Sequence, residues 1–273
     1  MRLSPRVLAC LALPAIWAQA PEAFSPSGKA FSALPDKSNT VLAADLALAK
    51  DPASADLLLA AARARDALLR FSESLPLYTR GMDEHPGDVR FPRYRGHRFI
   101  STRKFDFAIA DLKRAAEIAP VSFDVSYHLG LAYYLRGDYN HAAREYQRCL
   151  TLAAQPKPQF MRGMPADWRP CQGLDDNARV AITEAMKVTD NQSYYRTLLL
   201  YKGLRPEVDI PPDANAVATV SYGLGLWHWV AGRKDQACAA WQRAVSGENW
   251  SAFGFIAAEA DLGRGLCKPA KKR

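Results

Sequence analysis

The sequence predicts an all-α solenoid of helix–turn–helix repeats, with one irregular insertion and a C-terminal capping helix. Three observations carry this expectation. Pro52, Pro86 and Pro120 lie 34 residues apart, each just after a helical pattern, and self-similarity at a fixed period is the signature of a repeat array. Small residues keep that period: Ala62, Gly96 and Gly130 in each first helix, Ser74, Ala108 and Ala142 in each second, then Gly81, Ala115 and Cys149 near its end. Large residues keep it as well, with Phe71, Phe105 and Tyr139 opening the second helix and Tyr78, Leu112 and Tyr146 one turn after the small column.

The chain opens with MRLSPRVLACLALPAIWAQA, in which Arg2 and Arg6 precede an apolar run from Val7 to Trp17 and small residues follow at Ala18 and Ala20. This is the layout of a secretory signal peptide, and the run is too short for an ordinary membrane span. A cut after Ala18 is expected (residues 1–18 removed), because a cut after Ala20 would leave Pro21 at the new terminus. The expected location is therefore the periplasm or the outside of a bacterial cell. No later segment approaches the ~18 uninterrupted apolar residues a spanning helix needs.

Residues 19–38 are rich in Pro and Ser and are expected to form a flexible lead. The array itself is assigned to 39–156. Val41–Lys50 reads as the second helix of a unit whose first half is missing, and units of about 55–88, 89–122 and 123–156 follow. Residues 157–176, with three prolines and two glycines, read as an irregular insertion, and 177–217 as a degenerate helical repeat with helices near Asp175–Lys187 and Ser193–Lys202. Residues 218–265 repeat the scheme once more, with Gly225, Ala237, Trp241 and Ala244 in the same columns, and end in a closing helix from about Ser251 to Leu262. Gly137 and Gly232 fall between paired helices, where glycine supplies the left-handed conformation that ends a helix. Residues 266–273 form a basic tail.

The columns resemble those of the tetratricopeptide repeat (TPR) family. The shared features are the Leu129-Gly130 and Leu224-Gly225 pairs, the first-helix aromatics Phe99 and Tyr133, and the closing prolines Pro86 and Pro120. Arg65 and His228 in the aromatic column, Arg95 before Gly96, and Asn249 in place of the proline depart from the pattern. The resemblance implies a right-handed α-superhelix, in which a glycine such as Gly130 sits where two helix backbones approach. It also implies a concave groove lined by the first helices. Carried over residue by residue, the groove consists of Arg63 and Asp66, then Arg93, His97 and Ser101, then Tyr127 and Tyr134, and finally Tyr222 and Trp229. Such a set, basic at one end and aromatic at the other, suits an extended peptide. The lysine and asparagine constellation of the carboxylate-clamp subtype is missing, so the resemblance does not imply capture of a chaperone C-terminus.

The net charge of +8 falls to +6 without Arg2 and Arg6, and Lys268, Lys271, Lys272 and Arg273 supply four of those six charges. The basic balance is mostly a tail effect. The cluster RGHRFISTRKFD from Arg95 to Asp106 is basic and aromatic, yet export argues against a nucleic-acid partner. Export also leaves four cysteines, Cys149, Cys171, Cys238 and Cys267, in a compartment that permits disulfides. Nearest-neighbour pairing would join Cys149 to Cys171 and Cys238 to Cys267, although four cysteines admit three connectivities and the sequence does not choose among them.

No GxSxG, HExxH, GxxxxGK[ST] or strand-linked GxGxxG motif is present, and none of His85, His97, His128, His141 and His228 has a ligand-like neighbour. The expected function is thus a non-catalytic scaffold in the cell envelope, without cofactor or metal, that binds a protein or peptide through its concave face. The alternative is an envelope enzyme, or an enzyme accessory, with a site in the insertion around Trp168, Arg169 and Cys171.

Overall fold

The computed structural model describes residues 20–153, 192–204 and 214–267. The expected signal peptide, the insertion 157–176 with Trp168, Arg169 and Cys171, the helix expected near Asp175–Lys187 and the tail 268–273 lie outside these residues. The described helices are α1 (Thr40–Lys50), α2 (Ala55–Ala67), α3 (Phe71–Glu84), α4 (Arg90–Ser101), α5 (Phe105–Ile118), α6 (Phe123–Arg136), α7 (Tyr139–Ala153), α8 (Gln192–Tyr201), α9 (Ala214–Val230), α10 (Lys234–Ser246) and α11 (Phe253–Gly263). They pack as successive pairs, α2 with α3, α4 with α5, α6 with α7 and α9 with α10, and each of the first two pairs stacks on the next. This is the helix–turn–helix solenoid that the period predicts. Among the described residues no helix is long and apolar enough to cross a membrane.

The small–large columns are the contacts that set the pairing. A Cβ on Gly96 would lie 2.8 Å from Leu112, and one on Gly130 would lie 2.8 Å from Tyr146. A Cβ on Gly225 would run into the Trp241 ring. In each unit the glycine thus admits a bulky side chain from sixteen residues later, so that buried Leu112 and Trp241 fill the space between two close backbones. The proline column has its own use. Arg80 and Arg148, two repeats apart, each donate a 2.6 Å hydrogen bond to the carbonyl of the proline 28 residues earlier, Pro52 and Pro120.

The turns between paired helices share one conformation. Gly137 (φ 92°) and Gly232 (φ 76°) are left-handed, and in the earlier units the same positions are filled by Leu69 (φ 56°) and Arg103 (φ 62°). An L-residue there costs roughly 1–2 kcal/mol, so both side chains need a compensating role elsewhere. The departures from the repeat pattern are likewise partnered. Arg65 makes a two-pronged ion pair with Asp45 that ties α2 to α1, Arg95 does the same with Asp111 on α5, and His228 Nδ1 accepts from Arg233 at 2.8 Å.

Residues 20–38 correct the expectation of a flexible lead. Ala23–Phe24 (β1) and Ala30–Phe31 (β2) form an antiparallel hairpin in which Ala23 faces Phe31, and both of these residues are buried. The Glu22 carboxylate accepts hydrogen bonds from the backbone N–H and the hydroxyl of Ser72 at the start of α3. Asp36 then caps α1 by accepting from the N–H groups of Thr40 and Val41, both at 2.9 Å. The segment is rich in Pro and Ser, while two apolar side chains, Ala23 and Phe31, anchor it.

Cys238 and Cys267 are joined by a disulfide, as nearest-neighbour pairing anticipates. Cys149 is also disulfide-bonded; Cys171, the partner expected for it, lies outside the described residues.

Candidate functional site

The first helices α2, α4, α6 and α9 are those that the repeat register assigns to the inner face of the superhelix. The closing helix α11 packs on α9 and α10, its own repeat, and also reaches α6 across the inner face. Ile256 and Ala257 of this segment join the core cluster of α4, α5 and α6, and polar and aromatic side chains flank them. Phe253 lies 4.6 Å from the His97 ring and 5.6 Å from the His128 ring, measured between centroids. Glu259 receives two hydrogen bonds from Arg103, the closer at 2.6 Å. Asp261 accepts from the Tyr134 hydroxyl at 2.9 Å, and the Tyr222 hydroxyl donates to Tyr134 at 2.8 Å. Arg264 pairs with Asp261 and donates to the carbonyls of Tyr134 and Leu135 in the last turn of α6, the former also accepting from the Gly137 N–H.

The hairpin completes this closure from the other end of the chain. Phe31 stacks on Trp250 at 5.1 Å and meets Phe255 edge-on, while Phe71 meets Trp250 edge-on at 5.5 Å. Arg103 lies over Phe31, Trp250 and Phe255 and donates to the Trp250 carbonyl. This is the compensating role for its left-handed backbone: from the turn after α4, its side chain reaches the last repeat, 156 residues on.

Burial shapes the titrations at this contact. His128 is fully enclosed, and its Nδ1 lies 2.7 Å from the Asp124 carbonyl. Desolvation, opposed by the Asp124 carboxylate, pushes its pKa down to about 4. Burial likewise raises Asp261, Glu259, Tyr134 and Tyr222, and takes Tyr127 up to about 12. For His128 the native state favours the neutral ring, so its contribution is complete above the unfolded pKa near 6.5 and is lost as pH falls toward 4. In that window the unfolded chain binds a proton that the native chain refuses, and stability drops by about 3 kcal/mol in total. Urea unfolding at pH 7 and pH 4 should show His128→Gln losing less stability than the wild type by about that amount. Equal losses would mean that the ring titrates normally.

The nine residues expected to line a groove divide on this geometry. His97, Tyr134 and Tyr222 meet the α11 segment. Ser101 is fully buried, its hydroxyl donating back to the His97 carbonyl. Trp229 packs on Trp241, inside its own helix pair. Tyr127 packs against His128 and Tyr146. Asp66 accepts from the Tyr78 hydroxyl at 2.6 Å and faces Arg98. Arg93 makes a two-pronged pair with Asp124 and lies over the Tyr94 ring at 4.4 Å. Arg63 is exposed, lies 5.4 Å from the Tyr94 ring, and among the described residues has no carboxylate at ion-pair distance. The selection passed over Tyr94, Arg103 and the α11 residues. Only Arg103 left a sequence signal, a charged residue in the column that holds Gly137 and Gly232.

The basic cluster of α4 and the turn after it is matched by carboxylates: Arg90 pairs with Asp56 and Asp88, Arg93 with Asp124, Arg95 with Asp111, Arg98 with Asp66, and Arg103 with Glu259. A cleft of about 430 Å³ opens between the hairpin and α11, with Arg103, Arg136 and Arg264 among its lining residues. These guanidiniums also have carboxylate partners. Among the described residues no group of three or more His, Cys, Asp or Glu side chains is placed to hold a metal ion.

The geometry defines a TPR-like solenoid whose inner face is partly covered by its own last helix. No family model matches the chain, and no curated protein matches it. Among solved structures it is similar to MamA (14% identity, 76% of this chain and 85% of that one, TM-score 0.39). It is also similar to YrrB, a TPR protein with an unusual peptide-binding site (13% identity, 76% of this chain and 92% of that one, TM-score 0.41). A third is the Cut9–Hcn1 hetero-tetramer of the APC/C (13% identity, 85% of this chain and 39% of that one, TM-score 0.48). At these scores the likenesses carry no argument about what the chain binds.

Proposed function

We propose that the protein is a non-catalytic, exported scaffold that holds a polypeptide segment on the inner face of its first repeats. The observation that carries this reading is the contrast along that face. Toward the C-terminal repeat it is occupied by α11, while around α2 and α4 the guanidinium of Arg63 is exposed and, among the described residues, without a carboxylate at ion-pair distance, beside Tyr94 and Arg93. A cation over an aromatic face, with guanidinium donors still free, suits a side-chain carboxylate of an extended peptide. Export is supported by the charged and apolar pattern of the first twenty residues and by the Cys238–Cys267 disulfide, which persists in oxidising compartments.

Selection of a random peptide display library on the folded protein tests the reading. Sequences rich in Asp and Glu should be enriched, and Arg63→Glu should weaken the selected peptides by at least about tenfold with the helical circular dichroism unchanged. Failure to enrich any sequence, or binding indifferent to Arg63→Glu, would remove the inner face as the site.

A further inference from the structure

We infer that the outer flank of α1 is a self-association surface, on which two copies of this chain pair through antiparallel α1 helices. The inference does not depend on the peptide-binding reading. In this solenoid the second helix of a unit is covered on both flanks: α3 packs on α2 and α4, and α5 on α4 and α6. α1 occupies the same place, as a second helix whose first helix is missing, and its packing is with α2. Val41 and Leu48 are buried in that contact, and its one acidic residue, Asp45, is held by Arg65.

The opposite flank carries Leu42, Ala43, Leu46 and Ala49, all exposed, and the two leucines, one turn apart, are 57% and 58% exposed. A solenoid end that faces water presents a polar surface. This one presents a leucine–alanine stripe, the composition of a helix covered on both sides.

The charges at the ends of the helix favour a second copy over an unrelated helix. Lys37 stands just before the N-terminus of α1 and Asp51 just after its C-terminus. Both are exposed, and neither has an ion-pair partner among the described residues. Lys37 lies at the positive end of its own helix dipole, where a cation is disfavoured. In an antiparallel pair about a two-fold axis, Lys37 of each copy comes to Asp51 of the other and the exposed Lys50 of each comes to the Asp36 end of the other, so that each cation meets a carboxylate, and the leucines of each copy lie over the alanines of the other. Such a contact is isologous and closes at two copies. An eleven-residue helix is only about 16 Å long, so the pair belongs among small, reversible interfaces.

Sedimentation of the full chain, and of the chain beginning at Gln19, over about a hundredfold concentration range gives the test. Both should show a monomer–dimer equilibrium. Leu42→Glu and Leu46→Glu should each raise the dissociation constant by at least about tenfold while leaving the thermal midpoint of the monomer in place. Lys37→Asp should weaken the dimer, and adding Asp51→Lys should restore it. A monomer at every concentration overturns the inference, as does a dimer indifferent to both leucine substitutions. Dimerisation only of the full chain also overturns it, because the apolar first 18 residues would then be what associates.

Discussion

Trp250→Ala should lower the stability of the folded chain by about 3–5 kcal/mol, the range for truncating a buried tryptophan. The ring is 6% exposed and meets Phe31 from the hairpin, Phe71 from the first complete unit and Arg103 from the second. Its loss should therefore be regional. Hydrogen exchange should quicken in residues 22–31 and in α11, while the amides of α4 and α5, held by their own pair contacts, keep their protection. A uniform loss of protection would mean that the last repeat and the array unfold as one unit. Urea unfolding of Val230→Ala, at a position 86% exposed, serves as the reference and should change stability by no more than about 0.5 kcal/mol.

The second large effect is expected at Arg103. Its side chain and that of Glu259 are 10% and 7% exposed, so removing the guanidinium leaves a carboxylate without its partner in a buried site. Arg103→Ala should cost about 3–5 kcal/mol. Burial already raises the Glu259 pKa, so the cost should shrink at lower pH, where that carboxyl can take up a proton. The left-handed backbone adds a comparison available at few sites: Arg103→Gly loses the same contacts but relieves the strain at φ 62°, and should be less damaging than Arg103→Ala by about 1 kcal/mol. Equal losses in urea unfolding would show that the turn relaxes at no cost.

Much of the architecture was legible because it repeats. Pro52, Pro86 and Pro120, the glycines Gly96, Gly130 and Gly225, and the large residues that fill the space beside them recur at fixed offsets. Local packing at such offsets leaves a periodic trace in the sequence. The closure leaves none. Arg103 meets Glu259, Tyr134 meets Asp261 and Phe31 meets Trp250 once each, across long sequence separations. No column predicts a contact made once.

For the same reason the repeat register does not reveal what covers part of the inner face. Choosing Tyr134, Tyr222 and His97 from the repeat register assumes that the inner face is open, and these side chains meet Asp261 and Phe253. Composition alone suggests a flexible lead, whereas Ala23 and Phe31 suffice to anchor a segment otherwise rich in Pro and Ser.

The closure of the superhelix by its own last helix is the central claim, and a double-mutant cycle between Arg103 and Glu259 tests it most directly. Stabilities of the wild type, Arg103→Met, Glu259→Gln and the double variant would be measured by urea unfolding at pH 7. Residues in direct contact couple by roughly 0.5–3 kcal/mol, and a buried ion pair should lie in the upper half of that range. A coupling above about 1.5 kcal/mol is the result expected if α11 rests on the inner face. Additivity within about 0.3 kcal/mol would mean that the two residues do not meet, and that the last repeat stands free of the second unit at this point.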